Sequence, residues 1–327
     1  MQYILVTGAS GFVGSSLCEA LLTQGYKVLG IGRKNPYNAN LSPKERGFLS
    51  ADTLAHKNFK YEQLEPKNLD KDSLKNYEFS LAFHLASMVE YASLEYTEYT
   101  EYTEYTEYTI NATINLIDFT ITRHIPKIIF SSTASVFAQP DSKQNYIITE
   151  RSPISPMSYY SLAKYTCEKL LEIATFKSNQ LQAITLRFPA LFGVNHLGGV
   201  VYEFAKNAWQ NKDIVLFNNG QVLRNILYIN DAIKALISAA QAQNLQQYEA
   251  FVIGSKDSQN TAFIAQQLIE SLHSRSKLIL SPKPSPNPFN AILDTTKAQQ
   301  LLHFTPPSIQ AGLESYAKDI ILQGGIL

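Results

Sequence analysis

The stretch that decides the fold is residues 3–34, YILVTGASGFVGSSLCEALLTQGYKVLGIGRK. Its first five residues form a short apolar, partly β-branched run, as expected of a buried parallel strand. Apolar residues then recur with helical spacing from Leu17 to Leu22, and Gly25 ends the helix. A second strand is predicted over 27–31. The order strand, glycine turn, helix, strand predicts a doubly wound α/β fold with a parallel sheet.

Three glycines stand between the first strand and the helix, at Gly8, Gly11 and Gly14. Gly8 lets the chain turn sharply, Gly11 lets the backbone approach a pyrophosphate, and Gly14 lets the helix pack close to the strand. The N-terminus of the helix then faces the phosphate charge. In this context the spacing predicts dinucleotide binding, and the alternative is a purely structural glycine turn.

The end of the second strand indicates which dinucleotide is bound. An acidic residue at this place hydrogen-bonds a ribose diol and repels a 2′-phosphate. This chain has Gly32, Arg33 and Lys34 instead. Two cations beside the adenosine ribose favour NADP(H) over NAD(H), and the alternative is two solvated basic residues in a loop.

A second motif lies in residues 156–174, PMSYYSLAKYTCEKLLEIA, whose apolar periodicity is helical from about Tyr160 onward. Tyr160 and Lys164 share one helix face. A nearby ammonium and an oxidised nicotinamide lower the pKa of a phenol, so the tyrosine can exchange a proton with a carbinol while hydride moves. Tyr165 and Lys169 have the same spacing and are the alternative. The first pair is favoured because it stands at the start of the helix, downstream of a serine- and threonine-rich strand end.

The composition excludes several classes of protein. Lys plus Arg and Asp plus Glu are both 28 in 327 residues, so no basic field attracts nucleic acid or an anionic membrane. Cys18 and Cys167 have no partnered spacing, and the six histidines are scattered, so neither a disulfide nor a metal site is expected. The sequence shows no signal peptide and no apolar run of about 20 residues. A cytoplasmic protein is therefore predicted.

Six segments occur in an order that resembles the extended short-chain dehydrogenases/reductases, and more narrowly their nucleotide-sugar epimerase/dehydratase/reductase branch. They are the glycine turn, HLAS (84–87), FSSTASVF (130–137), YSLAK (160–164), LRFPALFG (186–193) and GQVLRNILYINDAIKAL (220–236). The resemblance covers nearly the whole chain. It implies hydride transfer at C4 of a UDP- or dTDP-linked sugar, in surface-polysaccharide sugar synthesis.

The resemblance also implies the role of individual residues. Thr133 hydrogen-bonds the reacting sugar oxygen, Tyr160 is the proton donor or acceptor, and Lys164 also binds the nicotinamide ribose. Arg224 grips the diphosphate, for which a planar guanidinium is well suited. The implied cofactor contacts are Gly8, Gly11, Phe12, Val13, Gly14, Arg33, Leu85, Ala86, Tyr160, Lys164 and Pro189. The implied substrate contacts are Thr133, Val200 and Arg224.

Departures from the family pattern narrow the range of reactions expected of this chain. Ala134 and Ser135 stand where the 4,6-dehydratases carry an Asp-Glu pair, which argues against dehydration. Ala190 stands where typical 4-epimerases have an asparagine, which makes the segment similar to the ketoreductases. A 4-ketoreductase and a 4-epimerase use the same residues, so both remain. A non-catalytic dinucleotide-binding regulator or scaffold is the alternative from another class.

One segment stands outside these motifs. Glu95–Thr109 is five identical Glu-Tyr-Thr units. A period of three keeps no constant face on a helix or a strand, so it predicts a duplicated segment tolerated at the surface. The resemblance implies a homodimer whose interface is built by helices around this segment. The alternative is therefore that the repeat alters dimerisation or covers the sugar pocket.

Two domains are predicted. A dinucleotide-binding domain covers residues 1–185, with the repeat at 95–109 as an insertion. A smaller C-terminal α/β substrate domain covers residues 186–327. The two are expected to interleave, because Tyr248–Gly254 has the pattern of a strand that rejoins the first sheet.

Overall fold

The computed structural model describes residues 2–38, 40–88, 103–138, 146–285 and 290–325. The strands in these ranges are β1 (Tyr3–Thr7), β2 (Lys27–Ile31), β3 (Phe59–Glu62), β4 (Phe79–His84), β5 (Lys127–Thr133), β6 (Tyr146–Ile148), β7 (Gln182–Phe188), β8 (Ala190–Phe192), β9 (Ile214–Leu216), β10 (Leu223–Arg224), β11 (Ile226–Tyr228), β12 (Tyr248–Val252), β13 (Gln259–Asn260), β14 (Leu278–Leu280) and β15 (Ala291–Leu293).

The α-helices of the same ranges are α1 (Phe12–Thr23), α2 (Pro43–Arg46), α3 (Ala51–Ala55), α4 (Ala112–Thr122), α5 (Tyr159–Lys177), α6 (Gly199–Trp209), α7 (Ile229–Gln241), α8 (Thr261–Ser271), α9 (Thr296–Leu302) and α10 (Ile309–Leu322). A π-helical turn, Thr106–Asn111, directly precedes α4. Within the described residues, none of these helices has both the length and the apolar content needed to cross a bilayer.

The largest sheet of the described residues has seven strands, in the order β12-β7-β5-β4-β1-β2-β3. The pairs β1–β2, β2–β3, β1–β4 and β4–β5 are parallel. From β1 the chain builds the sheet toward β3 and then returns to add β4 on the other side of β1. This reversal of direction is the switch point of a doubly wound sheet, where such folds bind their ligands. The predicted fold class is confirmed.

The core of this sheet explains why the sequence adopts these elements. Strand β1 is apolar on both faces, and Leu5 and Val6 are fully buried, as expected of a strand covered by helices on both sides. Helix α4 buries Leu116 and Phe119 in the same cluster in which α5 buries Leu171. Each such side chain contributes about 1.5–3 kcal/mol on burial.

The chain divides into two compact units. The first consists of Met1–Val136, Pro156–Arg187 and Leu236–Phe251, and it contains nearly all of the seven-stranded sheet with α1–α5. The second consists of Phe137–Ser155, Phe188–Ala235 and Val252–Leu327.

The second unit is built from small strand pairs and helices. The pairs β8–β11, β9–β14 and β6–β15 are parallel, and β10–β13 is antiparallel. Helix α10 packs on β11 at Gly312, where an added Cβ would lie 3.0 Å from the Cβ of Tyr228. Tyr316 of the same helix packs edge-on against Phe192 of β8.

Candidate active site

The glycine turn lies at the carboxyl end of β1. Gly8 has φ +70°, and a Cβ there would lie 2.8 Å from the amide nitrogen of Ala86. A Cβ on Gly14 would lie 2.2 Å from the carbonyl oxygen of Gly8. The turn therefore touches the segment after β4 on one side and the start of α1 on the other. At Gly11, the N-cap of α1, an added Cβ would meet a single backbone atom, at 3.2 Å.

The ends of β1 and β4 are tied together beside this turn. The Oγ1 of Thr7 accepts hydrogen bonds from the amides of Leu85 and Ala86, both at 3.2 Å. The ring of His84 lies between Thr7 (Nδ1, 2.8 Å) and Thr113 (Nε2, 2.9 Å). Burial lowers the pKa of His84 to about 3, so this histidine is a neutral packing residue at neutral pH. Leu85 and Ala86, which were predicted to contact the cofactor, adjoin the glycine turn.

Three hydroxyl residues end strand β5, and each has a different environment. The carbonyl of Ser131 accepts a hydrogen bond from Lys164, and the hydroxyl of Ser132 donates to Glu168. The hydroxyl of Thr133 donates to Ser135, which in return donates its amide to Thr133 Oγ1, each at 3.1 Å. Of the three hydroxyls, that of Ser132 is thus hydrogen-bonded to a buried carboxylate. The role of Thr133 as the substrate contact remains a prediction.

Helix α5 begins with a capping box that sets the position of the tyrosine. Ser158 Oγ accepts from the amide of Ser161, and the amide of Ser158 donates to Ser161 Oγ. These bonds satisfy amide groups that a helix start leaves unpaired. Tyr160 consequently stands in the first turn, and Lys164 follows one turn later. The helix begins one residue before the predicted start.

Lys164 lies inside the protein although it carries a charge. Its side chain is 3% exposed; Nζ donates to the Ser131 carbonyl at 2.8 Å and lies 4.9 Å from the centre of the Phe130 ring. Burial lowers the pKa of Lys164 from 10.5 to about 8. The nearby Glu168 opposes part of this shift. The group is still mostly protonated at pH 7. Lys169 of the alternative pair is exposed and bound to a glutamate, so of the two lysines it is Lys164 that is buried.

A buried ion pair that the sequence analysis did not assign lies directly behind these groups. The carboxylate of Glu168 accepts from Arg187 Nη2 at 2.7 Å and from its Nε at 3.1 Å, and it also accepts from Ser132. The two side chains are 1% and 8% exposed. The pair joins α5, β5 and β7, the elements around the strand end that carries Thr133. Two features of the sequence could have indicated this ion pair: an arginine within an apolar strand, and a glutamate one turn after Lys164.

Three predicted site residues belong to the second unit. Arg224 lies in β10 and is half-buried, and burial lowers the pKa of its guanidinium. Val200 lies in the first turn of α6, and Pro189 lies between β7 and β8; both are half-buried. Their roles in binding remain predictions.

Arg33 follows β2 and is exposed. Its guanidinium carbon lies 5.5 Å from the ring centre of Tyr108, and Lys67 Nζ lies 4.1 Å from the same ring. The backbone carbonyl of Arg33 accepts a hydrogen bond from Gln63 Nε2 at 3.0 Å. The cation is thus engaged with an aromatic ring of the repeat.

The repeat itself is described only from Thr103 onward, so its first residues, 95–102, lie outside the described part of the chain. Tyr105 is 3% exposed and Thr109 is fully buried. The prediction of surface tolerance is therefore wrong for the last two units. A period of three keeps no constant face over five units, but the stretch that packs here is short and ends in a π-helical turn.

Solved structures of nucleotide-sugar enzymes share this fold. The UDP-glucose 4-epimerase of Thermotoga maritima, solved with UDP-glucose, aligns over 98% of this chain and 99% of its own, with a TM-score of 0.80 and 23% identity. The UDP-glucuronic acid 4-epimerase of Bacillus cereus aligns over the same shares, with a TM-score of 0.81 and 24% identity. That structure holds UDP-glucuronic acid and NAD.

The predicted preference for NADP(H) is wrong. Structural neighbours of this chain were solved in complex with NAD. The preference rested on Arg33 as a ligand for a 2′-phosphate, but this side chain lies on Tyr108. Tyr108, which is remote from Arg33 in the sequence, thus contacts the guanidinium that the local pattern assigned to a 2′-phosphate.

Curated relatives cover nearly the full length of the chain. An uncharacterised UDP-glucose epimerase, YtcB, of Bacillus subtilis (strain 168) is 29% identical over 317 residues, which is 95% of each chain. The UDP-glucuronate 4-epimerase of Thermodesulfobacterium geofontis is 27% identical over 331 residues, covering 96% of this chain and 94% of the relative. A family profile matches residues 4–254, which include the glycine turn, Thr133, Tyr160 and Lys164. The chain therefore belongs to the NAD dependent epimerase/dehydratase family.

Proposed function

We propose that this protein is an NAD-dependent 4-epimerase of a UDP-linked sugar. The observation that carries the proposal is the buried Lys164, which lies one helical turn from Tyr160 and is hydrogen-bonded to the strand end that carries Thr133. Burying a lysine is unfavourable, so a lysine kept there beside a tyrosine indicates a functional group.

The residues at the switch point fit a dinucleotide. Gly8 and Gly14 are positions where any Cβ would collide with backbone, whereas at Gly11 an added Cβ has one backbone atom close to it. This arrangement leaves the backbone at the start of α1 open to a pyrophosphate. Phe12, Val13, Leu85 and Ala86 adjoin it and would complete the contact.

The side chains support one cycle of proton and hydride transfer. When bound, NAD supplies the oxidised nicotinamide that takes up a hydride and later returns it. Lys164, as an ammonium, favours the phenolate form of Tyr160. The phenolate takes the C4 hydroxyl proton as the C4–H bond breaks, which leaves a 4-keto sugar, and it returns the proton after the sugar has turned over. Thr133 hydrogen-bonds the same oxygen throughout.

In this proposal each compact unit binds a different ligand. The first unit holds the dinucleotide at its sheet switch point. The second unit holds the nucleotide diphosphate of the sugar. Arg224 is the ligand of the diphosphate, and Val200 is a further substrate contact. Burial of Arg224 supports this role, because a partly desolvated guanidinium pairs more strongly with phosphate oxygens.

A 4-ketoreductase is the second candidate, and Ala190 favours it. An epimerase of this type retains its cofactor through the cycle, whereas a ketoreductase exchanges it at every turnover. The NAD seen in the structural neighbours supports the epimerase, because a recycled cofactor stays bound.

We also propose a homodimer formed through α4 and α5. These neighbouring helices expose large apolar side chains along one side of each helix; they are Ile114, Ile121, Leu162, Ile173 and Phe176. Adjacent exposed apolar stripes are typical of an interface. The occupant is a second copy of this chain, as the family resemblance implies.

Two measurements test the enzymatic proposal. The purified protein is denatured, and the released nucleotide is identified by chromatography. The intact protein is then incubated with UDP-glucose and with UDP-glucuronic acid, and the sugar products are identified by NMR. We expect bound NAD(H) and a C4 epimer, with turnover lost in Tyr160→Phe and retained in Tyr165→Phe, the matched tyrosine of the second pair.

Other outcomes contradict the proposal in distinguishable ways. A protein that is isolated empty and reduces a 4-keto sugar with added reduced cofactor is the ketoreductase. Release of carbon dioxide from UDP-glucuronic acid identifies a decarboxylase, an activity named among the relatives. A protein with neither nucleotide nor turnover is the non-catalytic binder.

A further inference from the structure

The last two Glu-Tyr-Thr units pack into the first compact unit. Residues 103–105 are helical and lead into the π-helical turn Thr106–Asn111. We name Tyr105–Thr109 the docked end of the repeat. A π-helical turn is rare and occurs frequently at functional sites.

The docked end is anchored at its C-terminal side by polar contacts. Thr109 Oγ1 accepts from the amide of Met88 and lies within 3.2 Å of Ser87 Oγ, just after β4. The Thr109 carbonyl accepts from Thr113 Oγ1 at 2.7 Å. Thr109 is fully buried. This threonine therefore joins the repeat to the same strand end that adjoins the glycine turn.

A second anchor comes from the middle of the docked end. Glu107 forms an ion pair with Lys67 at 2.8 Å, and Lys67 also lies over the ring of Tyr108. Arg33 lies over that ring as well. Cation–π contacts of this kind supplement an ion pair that is partly exposed. The anchors reach the segments that follow β2, β3 and β4.

The N-terminal residue of the docked end meets the candidate catalytic tyrosine. The ring centres of Tyr105 and Tyr160 are 6.1 Å apart, and the rings are inclined by 56°. Tyr105 is 3% exposed, whereas Tyr160 is half-buried. An inclined pair at this distance is an attractive aromatic contact, and it limits the positions that the Tyr160 ring can occupy.

We propose that Tyr105 is a positioning residue that holds the ring of Tyr160 in its reactive orientation. The proposal rests on the assignment of Tyr160 under the proposed function. The anchors at Thr109 and Glu107 hold Tyr105 in place, so the docked end belongs to the catalytic apparatus. Proton transfer is sensitive to the orientation of the phenol, because geometry errors near one ångström already slow enzymatic reactions.

The test compares three variants of the full-length protein with UDP-glucose and UDP-glucuronic acid as probes. Tyr105→Leu removes the ring and keeps much of the buried volume, and Tyr105→Phe keeps the ring. Tyr316→Leu is the matched control, because Tyr316 is also buried, at 2% exposed, with its ring 5.7 Å from Phe192. Bound NAD, melting temperature, kcat and KM are measured for each.

We expect Tyr105→Leu to lower kcat about fivefold to tenfold, with KM within about twofold and bound NAD unchanged. Tyr105→Phe restores kcat, because it keeps the ring that packs against Tyr160. Tyr316→Leu lowers the melting temperature and leaves kcat unchanged. A merely structural role of Tyr105 would lower the melting temperature without this division between kcat and KM.

The outcomes separate this inference from the proposed function. A wild-type protein that turns over a probe, with Tyr105→Leu equally active, overturns the inference alone, as does a fall in kcat that Tyr105→Phe does not restore. A wild-type protein with neither NAD nor turnover removes the proposed function and the inference with it. If Tyr105→Leu does not fold, Tyr105→Met replaces it and the same comparison is made.

Discussion

At the scale of single residues, Lys164 shows how a functional group opposes stability. Its ammonium is removed from water and retains one carbonyl and one aromatic face as partners. The protein binds this proton less tightly than the unfolded chain does, because the pKa is lowered from 10.5 to about 8. Folding is therefore opposed by the charge at neutral pH.

We predict that Lys164→Met stabilises the fold and abolishes turnover. The lowered pKa corresponds to about 3 kcal/mol at pH 7, and the loss of the bond to Ser131 offsets about 1 kcal/mol of it. The variant is thus expected to be about 2 kcal/mol more stable at pH 7. The penalty is present below the folded pKa and is relieved as pH rises from about 8 toward 10.5.

Urea unfolding of both proteins at pH 7 and at pH 9.5 measures this difference and its decline. Lys169→Met is the matched control, since Lys169 is exposed on the same helix, and its stability changes by less than about 0.5 kcal/mol. A Lys164→Met variant that is less stable than the wild type at pH 7 contradicts the prediction.

The spacing within one helix is information that the sequence holds by itself, and the structure places Tyr160 and Lys164 in one helix as predicted, while their catalytic roles remain predictions. The sequence predicts that these two residues share one face because a helix brings residues i and i+4 together. The sequence did not disclose that Arg187 meets Glu168, or that Tyr108 meets Arg33. Those partners are separated along the chain, and only packing brings them together.

At the scale of elements, the docked end of the repeat is held by contacts of its own. The contacts described above begin at Tyr105, and Met88 bonds directly to Thr109. Because the five units have identical sequences, removing one of them leaves the same residue types at the positions that make these contacts.

We predict that deletion of one unit, residues 95–97, leaves kcat and melting temperature nearly unchanged. The identical units that remain supply the same side chains to the docked end, so its contacts with Tyr160, Lys67 and Met88 are kept. Turnover and thermal unfolding of the shortened chain check this.

The control for the deletion exchanges two letters at the docked end, by Tyr105→Thr with Thr106→Tyr. Composition and length stay constant, but the ring against Tyr160 is lost, so kcat is expected to fall. If the unit deletion is as harmful as this exchange, the number of upstream units matters and the prediction is wrong.

At the scale of the whole molecule, the exposed apolar sides of α4 and α5 lead to the proposed dimer. Their side chains range from 39% exposed at Ile121 to 75% exposed at Phe176. Covering such surface with a second copy removes apolar area from water, which is the main driving force of association.

We predict that Ile173→Glu converts the dimer into a monomer of 36.6 kDa. A carboxylate placed in an apolar interface loses its hydration without gaining a partner. Ile279→Glu in β14 is the matched control, because Ile279 is exposed to a similar degree, 44% against 49% for Ile173. Light scattering after gel filtration measures the mass. A wild-type monomer, or an Ile173→Glu dimer, contradicts the proposal.

The sequence by itself determined the doubly wound sheet, the glycine turn and the register of Tyr160 with Lys164. All three follow from short-range patterns, because strand and helix periods and the steric freedom of glycine act over a few neighbouring residues. The tertiary structure decided that Arg33 lies on Tyr108, that Glu168 binds Arg187, and that Tyr105 of the repeat packs against Tyr160. These contacts join residues far apart along the chain, and their selection depends on the packing of whole elements.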